Sequence, residues 1–258
     1  MTERKRTQLD SLHDRVVACT RCARLRSYCK DVGVTRRAAY REWDYWTKPV
    51  PGFGDPSARL WIIGLAPAAH GANRTGRIFT GDRSGDFLYA ALHRAGFANQ
   101  PASVSRDDGL KLTDCYISAT ARCAPPENKP SPVEIECCAD FLVEEWRLLL
   151  RKRVILALGK IAWDAAMRLA RRHAGETSSG ETSSGETPNP RVDFSHGASC
   201  RVSPTLAVVG SYHVSQQNTF TGRLTPAMFD AVLQFCRELF EAGASISSGG
   251  RTRRSPGS

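Results

Sequence analysis

The sequence predicts an α/β fold in which a mostly parallel sheet is covered by helices on both faces. Short apolar runs alternate along the chain with longer segments whose apolar residues have helical spacing. Loops rich in glycine or proline follow several of these runs directly. The chain has 258 residues and is 41% hydrophobic, which is enough for one large α/β domain with a sizeable core.

The predicted elements follow one another in a regular order. We expect strands over residues 59–65, 114–120, 153–159 and 205–213. We expect helices over residues 84–97, 131–150, 160–173 and 225–242. The second of these helices has the clearest start, because Ser131 suits the N-cap, Pro132 the first helical position and Glu134 the capping box.

We interpret residues 1–243 as a single domain with a long polar loop inside it. The loop, 175–190, is a tandem repeat of GETSS and is too polar to form a core, so it is predicted to be a disordered surface segment. The tail, 244–258, is rich in serine, glycine and arginine and is predicted to be disordered as well.

The net charge of +10 favours a polyanionic partner, with nucleic acid first. A basic solvated surface explains the same charge. No apolar run approaches the roughly 20 residues of a membrane span, and the N-terminus MTERKRTQLD lacks the apolar segment of a secretory signal. We therefore expect a cytoplasmic protein that does not enter membranes and, if it binds DNA, associates with the nucleoid.

Three loops are predicted to meet at one edge of the sheet, because ligands of such sheets bind beyond the carboxyl ends of the strands. The first is GLAPAAHGANRTGRIFTGD, 64–82, which combines four glycines with many polar residues. The second contains RCAPPENKP after Thr120, and the third is HVSQQNTFTG, which starts at His213. This edge is the predicted functional site.

The cysteines suggest a metal site. Disulfides are unusual in a cytosolic chain, so clusters among the nine cysteines indicate metal binding or packing. Cys19 and Cys22 form a C-x2-C pair, and fourteen residues separate Cys123 from Cys138. Four soft ligands suit zinc or a [4Fe–4S] cluster, and the spacing does not choose between them. Nine unrelated cysteines are the alternative.

Cys137 competes with Cys138 for the fourth ligand position. Adjacent residues of a helix point about 100° apart, so only one of the two is expected to face the metal. Cys138 falls on the apolar stripe of the predicted helix and is preferred.

The three loop motifs and the cysteine spacing together closely resemble the family 5 (B-type) uracil-DNA glycosylases, from about Leu9 to Ala242. The resemblance implies a three-layer α/β/α fold with a central four-stranded, mostly parallel sheet. It also implies a [4Fe–4S] cluster and a monomeric enzyme that acts on double- and single-stranded DNA. Such an enzyme flips out uracil and other deaminated bases and hydrolyses the N-glycosidic bond, leaving an abasic site.

The resemblance assigns catalytic roles to four residues. Phe79 matches the stacking platform for the base, and His213 matches the donor to the base oxygen as negative charge builds there. Asp82 matches the activator of water, acting as a general base or as an anion beside the oxocarbenium ion. Asn128 matches a second polar active-site residue. Asp82 can instead cap the following helix, Phe79 can be a core residue, and Asn128 can be an ordinary turn residue.

Other loop residues are expected at the substrate or at DNA. The residues expected at the substrate are Gly64, Ala68, His70, Asn73 and Arg74. The residues expected at DNA are Arg77, Gln216, Gln217, Asn218 and Arg223. Arg74 and Arg77 can equally be solvated. The polar residues 216–218 stand where the superfamily inserts a wedge into DNA, which leaves the means of base flipping undetermined.

One departure from the superfamily pattern concerns base recognition. Stringent uracil readers have an asparagine at the end of the second strand, where this chain has Ala119 or Thr120. We therefore expect activity on hypoxanthine besides uracil, with xanthine and ethenocytosine as further candidates.

Two other functions compete. A zinc-stabilised nucleic-acid-binding module explains the charge and the cysteines without catalysis. A small-molecule enzyme with a phosphate-binding loop is disfavoured, because the loop lacks both G-x-G-x-x-G and a GK[ST] ending.

Overall fold

The structure is a computed structural model that describes residues 3–173 and 192–245. The predicted GETSS loop lies outside the described residues, and so does the tail from residue 246 onward. Residues 244 and 245 still belong to the last helix, so the predicted tail begins two residues too early.

A six-stranded sheet forms the centre of the fold, in the order β1-β3-β2-β4-β6-β5. Its strands are β1 (Phe53–Gly54), β2 (Leu60–Gly64), β3 (Cys115–Ala119), β4 (Val154–Leu158), β5 (Ser199–Ser203) and β6 (Leu206–Ser211). The four predicted strands are the parallel centre, β3-β2-β4-β6, and every residue in them is buried. Burial on both faces explains their continuous apolar sequence.

Two antiparallel edge strands were not predicted. The first, β1, is only 2 residues long, and β5 has the half-exposed sequence SCRVS instead of an apolar run. Both lie where one side of the backbone has no further strand, so neither needed the sequence pattern of a buried strand.

Eight helices accompany the sheet in the described residues. They are α1 (Glu3–Val17), α2 (Ala23–Thr35), α3 (Ala72–Thr75), α4 (Arg83–Arg94), α5 (Pro132–Leu148), α6 (Lys160–His173), α7 (Gln216–Phe220) and α8 (Pro226–Ser245). Helices α4 and α8 pack on one face of the sheet, and α1, α5 and α6 pack on the other. The predicted three-layer α/β/α architecture is confirmed. None of the helices described is long and apolar enough to cross a membrane.

The predicted capping box of α5 is present. The Ser131 hydroxyl accepts a hydrogen bond from the Glu134 N–H at 3.3 Å, and the Glu134 carboxylate accepts one from the Ser131 N–H at 2.7 Å. Arg24 of α2 donates to the same carboxylate. The start of α5 is thereby joined to the N-terminal helices.

A buried ion pair fixes α5 to the loop after β3. The Arg122 guanidinium donates to Glu145 at 2.7 Å, and the two side chains are 1% and 0% exposed. The Tyr116 hydroxyl donates to the other Glu145 oxygen, and the ring of His13 lies 2.9 Å from that hydroxyl. Loss of either charged partner would leave an uncompensated charge in the core, so the pair holds the loop in one position.

Candidate active site

A groove of about 710 Å³ lies beyond the carboxyl ends of the parallel strands. Asp82 from the loop after β2, Asn128 from the segment after β3 and Gln216 from the segment after β6 all line it. The three loops therefore meet where the sequence predicted. Ala68, His70 and Arg74 line the groove as well, as three of the five predicted substrate contacts.

Asp82 both caps a helix and faces the groove. Its Oδ1 accepts a hydrogen bond from the Gly85 N–H at 3.0 Å, which makes it the N-cap of α4. Its Oδ2 packs against Gly71, where an added Cβ would overlap it. Burial raises the pKa of Asp82, while hydrogen bonds from the backbone of Gly85 and Ser84 act in the opposite direction. The helix-capping alternative posed by the sequence is thus confirmed, and Asp82 lines the groove as well.

Phe79 and His213 meet beside the groove, at the ends of β2 and β6. Their ring centroids are 6.1 Å apart and the rings are tilted by 37°. Phe79 also lies against Gly64, the last residue of β2, where a Cβ would stand only 2.8 Å from its ring. Phe79 is 6% exposed and has a φ of 51°, a conformation that bulky residues rarely adopt. The backbone is therefore bent to place this ring at the strand ends.

Burial lowers the pKa of His213 to about 4. The imidazole is consequently neutral near pH 7 and retains one N–H donor. The His213 carbonyl accepts a hydrogen bond from the Asn218 side chain at 2.8 Å. This contact stabilises the turn that follows His213. It also gives Asn218 a structural role within the loop.

Asn128 projects from a short 3-10 turn, Pro126–Asn128. Its φ of 57° and that of Glu127, 53°, lie in the left-handed region, which asparagine tolerates better than most residues. The Asn128 N–H donates to the Pro125 carbonyl at 3.2 Å. Asn128 is exposed and shares the groove with Asp82.

Arg77 contacts the protein itself. It is 3% exposed, and its guanidinium donates to Asp108 at 2.7 Å, to the hydroxyls of Thr80 and Ser103, and to the Arg106 carbonyl. These contacts leave Arg77 a structural role in place of the expected DNA contact.

Asn73 and Arg74 also make buried contacts within the loop. The Asn73 amide, 1% exposed, donates to the carbonyls of Cys29 and Ala69, so it joins the loop to α2. Arg74, 3% exposed, donates to the His70 and Gly81 carbonyls at 2.8 Å each. Arg74 therefore connects the two loop segments that flank Asp82. These internal contacts were not predicted, because a sequence shows a polar side chain but not the partners it finds.

One wall of the groove was not predicted from the sequence. Tyr40 and Trp43 line it, and the Arg74 guanidinium lies 3.9 Å and 4.1 Å from their ring centroids. Nearby, the Tyr45 hydroxyl lies 3.1 Å from Nδ1 of His70. The aromatic-rich stretch YREWDYW, 40–46, was the available signal.

The predicted ligand thiols gather where the N-terminal helices meet α5. Burial, together with the neighbouring thiols of Cys138, Cys137 and Cys123, raises the pKa of Cys22 to about 12. Burial also raises the pKa of Cys138, which interacts with Cys123 and Cys19. All four predicted ligands are therefore electrostatic neighbours.

The thiols do not form a closed ligand shell. Across residues 3–173 and 192–245, no three Cys, His, Asp or Glu side chains meet at metal-binding geometry. Cys29, which had no expected partner, lies beside Cys123, and its thiol donates to the Ala124 carbonyl at 3.6 Å. The sequence spacing gave no signal for this contact, since Cys29 lies on α2.

A family model described as the uracil DNA glycosylase superfamily matches residues 51–237. The chain belongs to this superfamily. It is 48% identical over 225 residues to a type-5 uracil-DNA glycosylase of Mycobacterium bovis, which covers 87% of this chain and 79% of the relative. A type-5 uracil-DNA glycosylase of Thermus thermophilus is 46% identical over 224 residues, 87% of this chain and 94% of the relative.

More distant superfamily members show weaker similarity. A type-4 uracil-DNA glycosylase of Pyrobaculum aerophilum is 30% identical over 167 residues, 64% of this chain and 68% of the relative. The type-5 relatives match more of the chain at higher identity, which confirms the resemblance that the three loop motifs indicated.

The low pKa of His213 predicts a pH-dependent stability. Its pKa is about 4 in the folded protein and 6.5 ordinarily, so the unfolded chain takes up the proton first as the pH falls. The contribution of His213 is present above about pH 6.5 and is lost progressively toward pH 4. Between about pH 7 and pH 5, wild type should lose roughly 1–2 kcal/mol more unfolding free energy than His213→Gln. Urea unfolding of both proteins at both pH values measures this difference in unfolding free energy. Equal losses in wild type and His213→Gln would contradict a neutral imidazole in the folded protein.

Proposed function

We propose that this protein is a monofunctional, hydrolytic uracil-DNA glycosylase, acting as a monomer on cytoplasmic, nucleoid DNA. The observation that carries the proposal is the convergence of Asp82 and Asn128 in one groove beside the Phe79–His213 pair. Net charge supports a DNA substrate, and membership in the superfamily supports the reaction.

Asp82 is suited to the water side of the reaction. As the C1′–N bond breaks, the sugar gains oxocarbenium character and a water must attack it. A carboxylate whose pKa is raised by burial is a stronger base than one in bulk water, and as an anion it stabilises the positive sugar. The hydrogen bond from Gly85 and the close packing on Gly71 hold the carboxylate in place. Asn128, in the same groove, can orient that water.

Phe79 and His213 are suited to the departing base. An extruded base needs a flat apolar surface, which the Phe79 ring provides. The base departs with negative charge, and a neutral imidazole N–H can donate to its oxygen without transferring a proton. Because His213 starts neutral, it also avoids a buried cation in the absence of DNA.

The substrate range is proposed to extend beyond uracil. Strand β3 ends at Ala119, and the Thr120 hydroxyl donates to the Leu65 carbonyl at 2.6 Å. Neither side chain is available to read a base edge as a bidentate amide would. We therefore include hypoxanthine among the substrates, with xanthine and ethenocytosine as further candidates.

We propose that Cys19, Cys22, Cys123 and Cys138 hold a [4Fe–4S] cluster. The donor set fits in its chemistry, since four soft sulfurs are neighbours and the Arg26 guanidinium lies 3.9 Å from the Cys123 sulfur. When bound, the cluster would crosslink the N-terminal helices to the loop after β3 and to α5. Zinc is the competing occupant of four thiolates.

A non-catalytic, metal-stabilised nucleic-acid-binding module is the alternative function. It accounts for the net charge and for the grouped thiols. It gives no reason for a carboxylate with a raised pKa to face a groove beside a neutral histidine. The glycosylase proposal accounts for both.

Replacing Asp82 tests the water-activating role. Asn also serves as a good N-cap, so Asp82→Asn removes the charge while the start of α4 is retained. We expect excision of uracil from a labelled duplex to fall about 10²-fold or more, measured by alkaline cleavage of the abasic product. Asp86→Asn is the matched control, because Asp86 lines the same groove one turn along α4. Equal rates in wild type and Asp82→Asn would move the water to Asn128 or the backbone.

The substrate range is tested with two duplexes that differ only in one base, uracil or hypoxanthine. Wild type should cleave both in single-turnover assays, because the strand-end side chains do not select a pyrimidine edge. Asp82→Asn should be slow on both, which excludes a contaminating enzyme. Efficient uracil excision without detectable hypoxanthine excision would refute the argument from Ala119 and Thr120.

Paired cysteine variants test the cluster. Anaerobically purified wild type should contain iron, inorganic sulfide and the visible absorbance of an iron–sulfur chromophore. Cys138→Ser should lose them, whereas Cys137→Ser, with the same substitution one residue away, should retain them. Zinc without sulfide in wild type would favour zinc as the occupant. Loss of iron, sulfide and absorbance in Cys137→Ser alone would make Cys137, and not Cys138, the fourth ligand.

A further inference from the structure

We infer that Phe220 is the side chain that enters the DNA base stack when the target base leaves it. The inference rests on the proposed glycosylase function and adds a residue to it. Phe220 is 73% exposed, and within the described part of the chain it is the one exposed aromatic side chain among Phe, Tyr and Trp residues. A large apolar ring held in water points to a partner that covers it.

Phe220 lies at the rim of the active-site groove. It is the last residue of α7, and with Gln216, one turn earlier on the same face, it lines the groove that contains Asp82 and Asn128. DNA that places a nucleotide at Asp82 therefore brings neighbouring bases toward the Phe220 ring.

Helix α7 is fixed to the end of β6. The Asn218 side chain donates to the His213 carbonyl at 2.8 Å, and the Leu224 N–H donates to the Asn218 carbonyl at 3.0 Å. Phe220 thus stands on the same short segment as the proposed donor to the base. A wedge needs such a rigid support, because a mobile side chain would be displaced by the nucleobases that it separates.

The chemistry of flipping favours an aromatic residue here. Extruding a base unstacks its neighbours, and an apolar side chain inserted between base steps recovers part of the lost stacking. Gln216 and Gln217 are exposed but polar, and the Asn218 amide is already engaged. The wedge is therefore displaced by one helical turn from Gln217, to Phe220.

The charges around the ring suit DNA. Arg37 and Arg83 line the same groove and are exposed, and neither forms an ion pair with a described carboxylate. Free guanidinium groups bind phosphates and position the duplex without reading its sequence. The rim therefore combines an apolar ring with unneutralised positive charge, as a minor-groove wedge requires.

Comparing Phe220→Ala on two substrates tests the inference. A single strand needs little unstacking, so its uracil should be excised within about twofold of the wild-type rate, whereas excision from the matched duplex should fall by about tenfold or more. Phe220→Leu should restore part of the duplex rate, since a bulky apolar side chain can still fill the gap. Val133→Ala removes a residue that is 72% exposed on α5, away from the groove, and should leave both rates unchanged.

A second readout does not depend on catalysis. In the Asp82→Asn background, a fluorescent adenine analogue placed beside the uracil should brighten on binding, as its stacking is disturbed. Adding Phe220→Ala should reduce that increase.

Each outcome supports or overturns one statement. Equal loss on duplex and single strand would make Phe220 a support for the groove, and unchanged duplex excision with unchanged fluorescence would exclude a wedge role. An intact wild type that excises uracil from neither substrate would overturn the proposed function itself. An active wild type with an unaffected Phe220→Ala would overturn only the wedge role.

Discussion

The parallel pairing of β3, β2, β4 and β6 is the constraint on which the site depends. Its register places Gly64 beside Ala119 and Leu158 beside Ser211, so the strands end together and their loops leave from one edge. Three of these four strands end in a small residue, Gly64, Ala119 or Ser211. The position of the groove is consequently determined by the sheet topology, because residues far apart in sequence meet where these strands end.

Topology brings the loops together only approximately, and buried polar contacts determine the finer geometry. Arg74 joins the His70 and Gly81 carbonyls and lies against two aromatic rings, while Arg77 is anchored on Asp108. These buried guanidinium groups take the place of secondary structure in a loop that has little of its own. A carboxylate held by such a loop keeps a fixed position relative to the end of β2.

The sequence predicted what depends on local pattern and missed what depends on partners. The four central strands and the span of α6 follow from apolar periodicity, and the start of α5 follows from its capping residues. The two-residue strand β1 carries no such pattern. The buried roles of Asn73 and Arg77 were invisible for another reason, since burial of a polar residue is decided by acceptors elsewhere in the chain. Asp82 and Asn128 line the groove, as predicted, because both belong to segments that leave the carboxyl ends of parallel strands.

The two oxygens of Asp82 show how stability and reactivity can share one side chain. The Gly85 N–H fixes Oδ1, and Gly71 leaves just enough space for Oδ2. A carboxylate held on both sides does not rotate freely, so in the proposed reaction the other groove residues bring the water to it. The hydrogen bond at Oδ1 lowers the pKa while burial raises it, and burial is the larger effect. The start of α4 therefore sets the direction of the carboxylate that is proposed as the base.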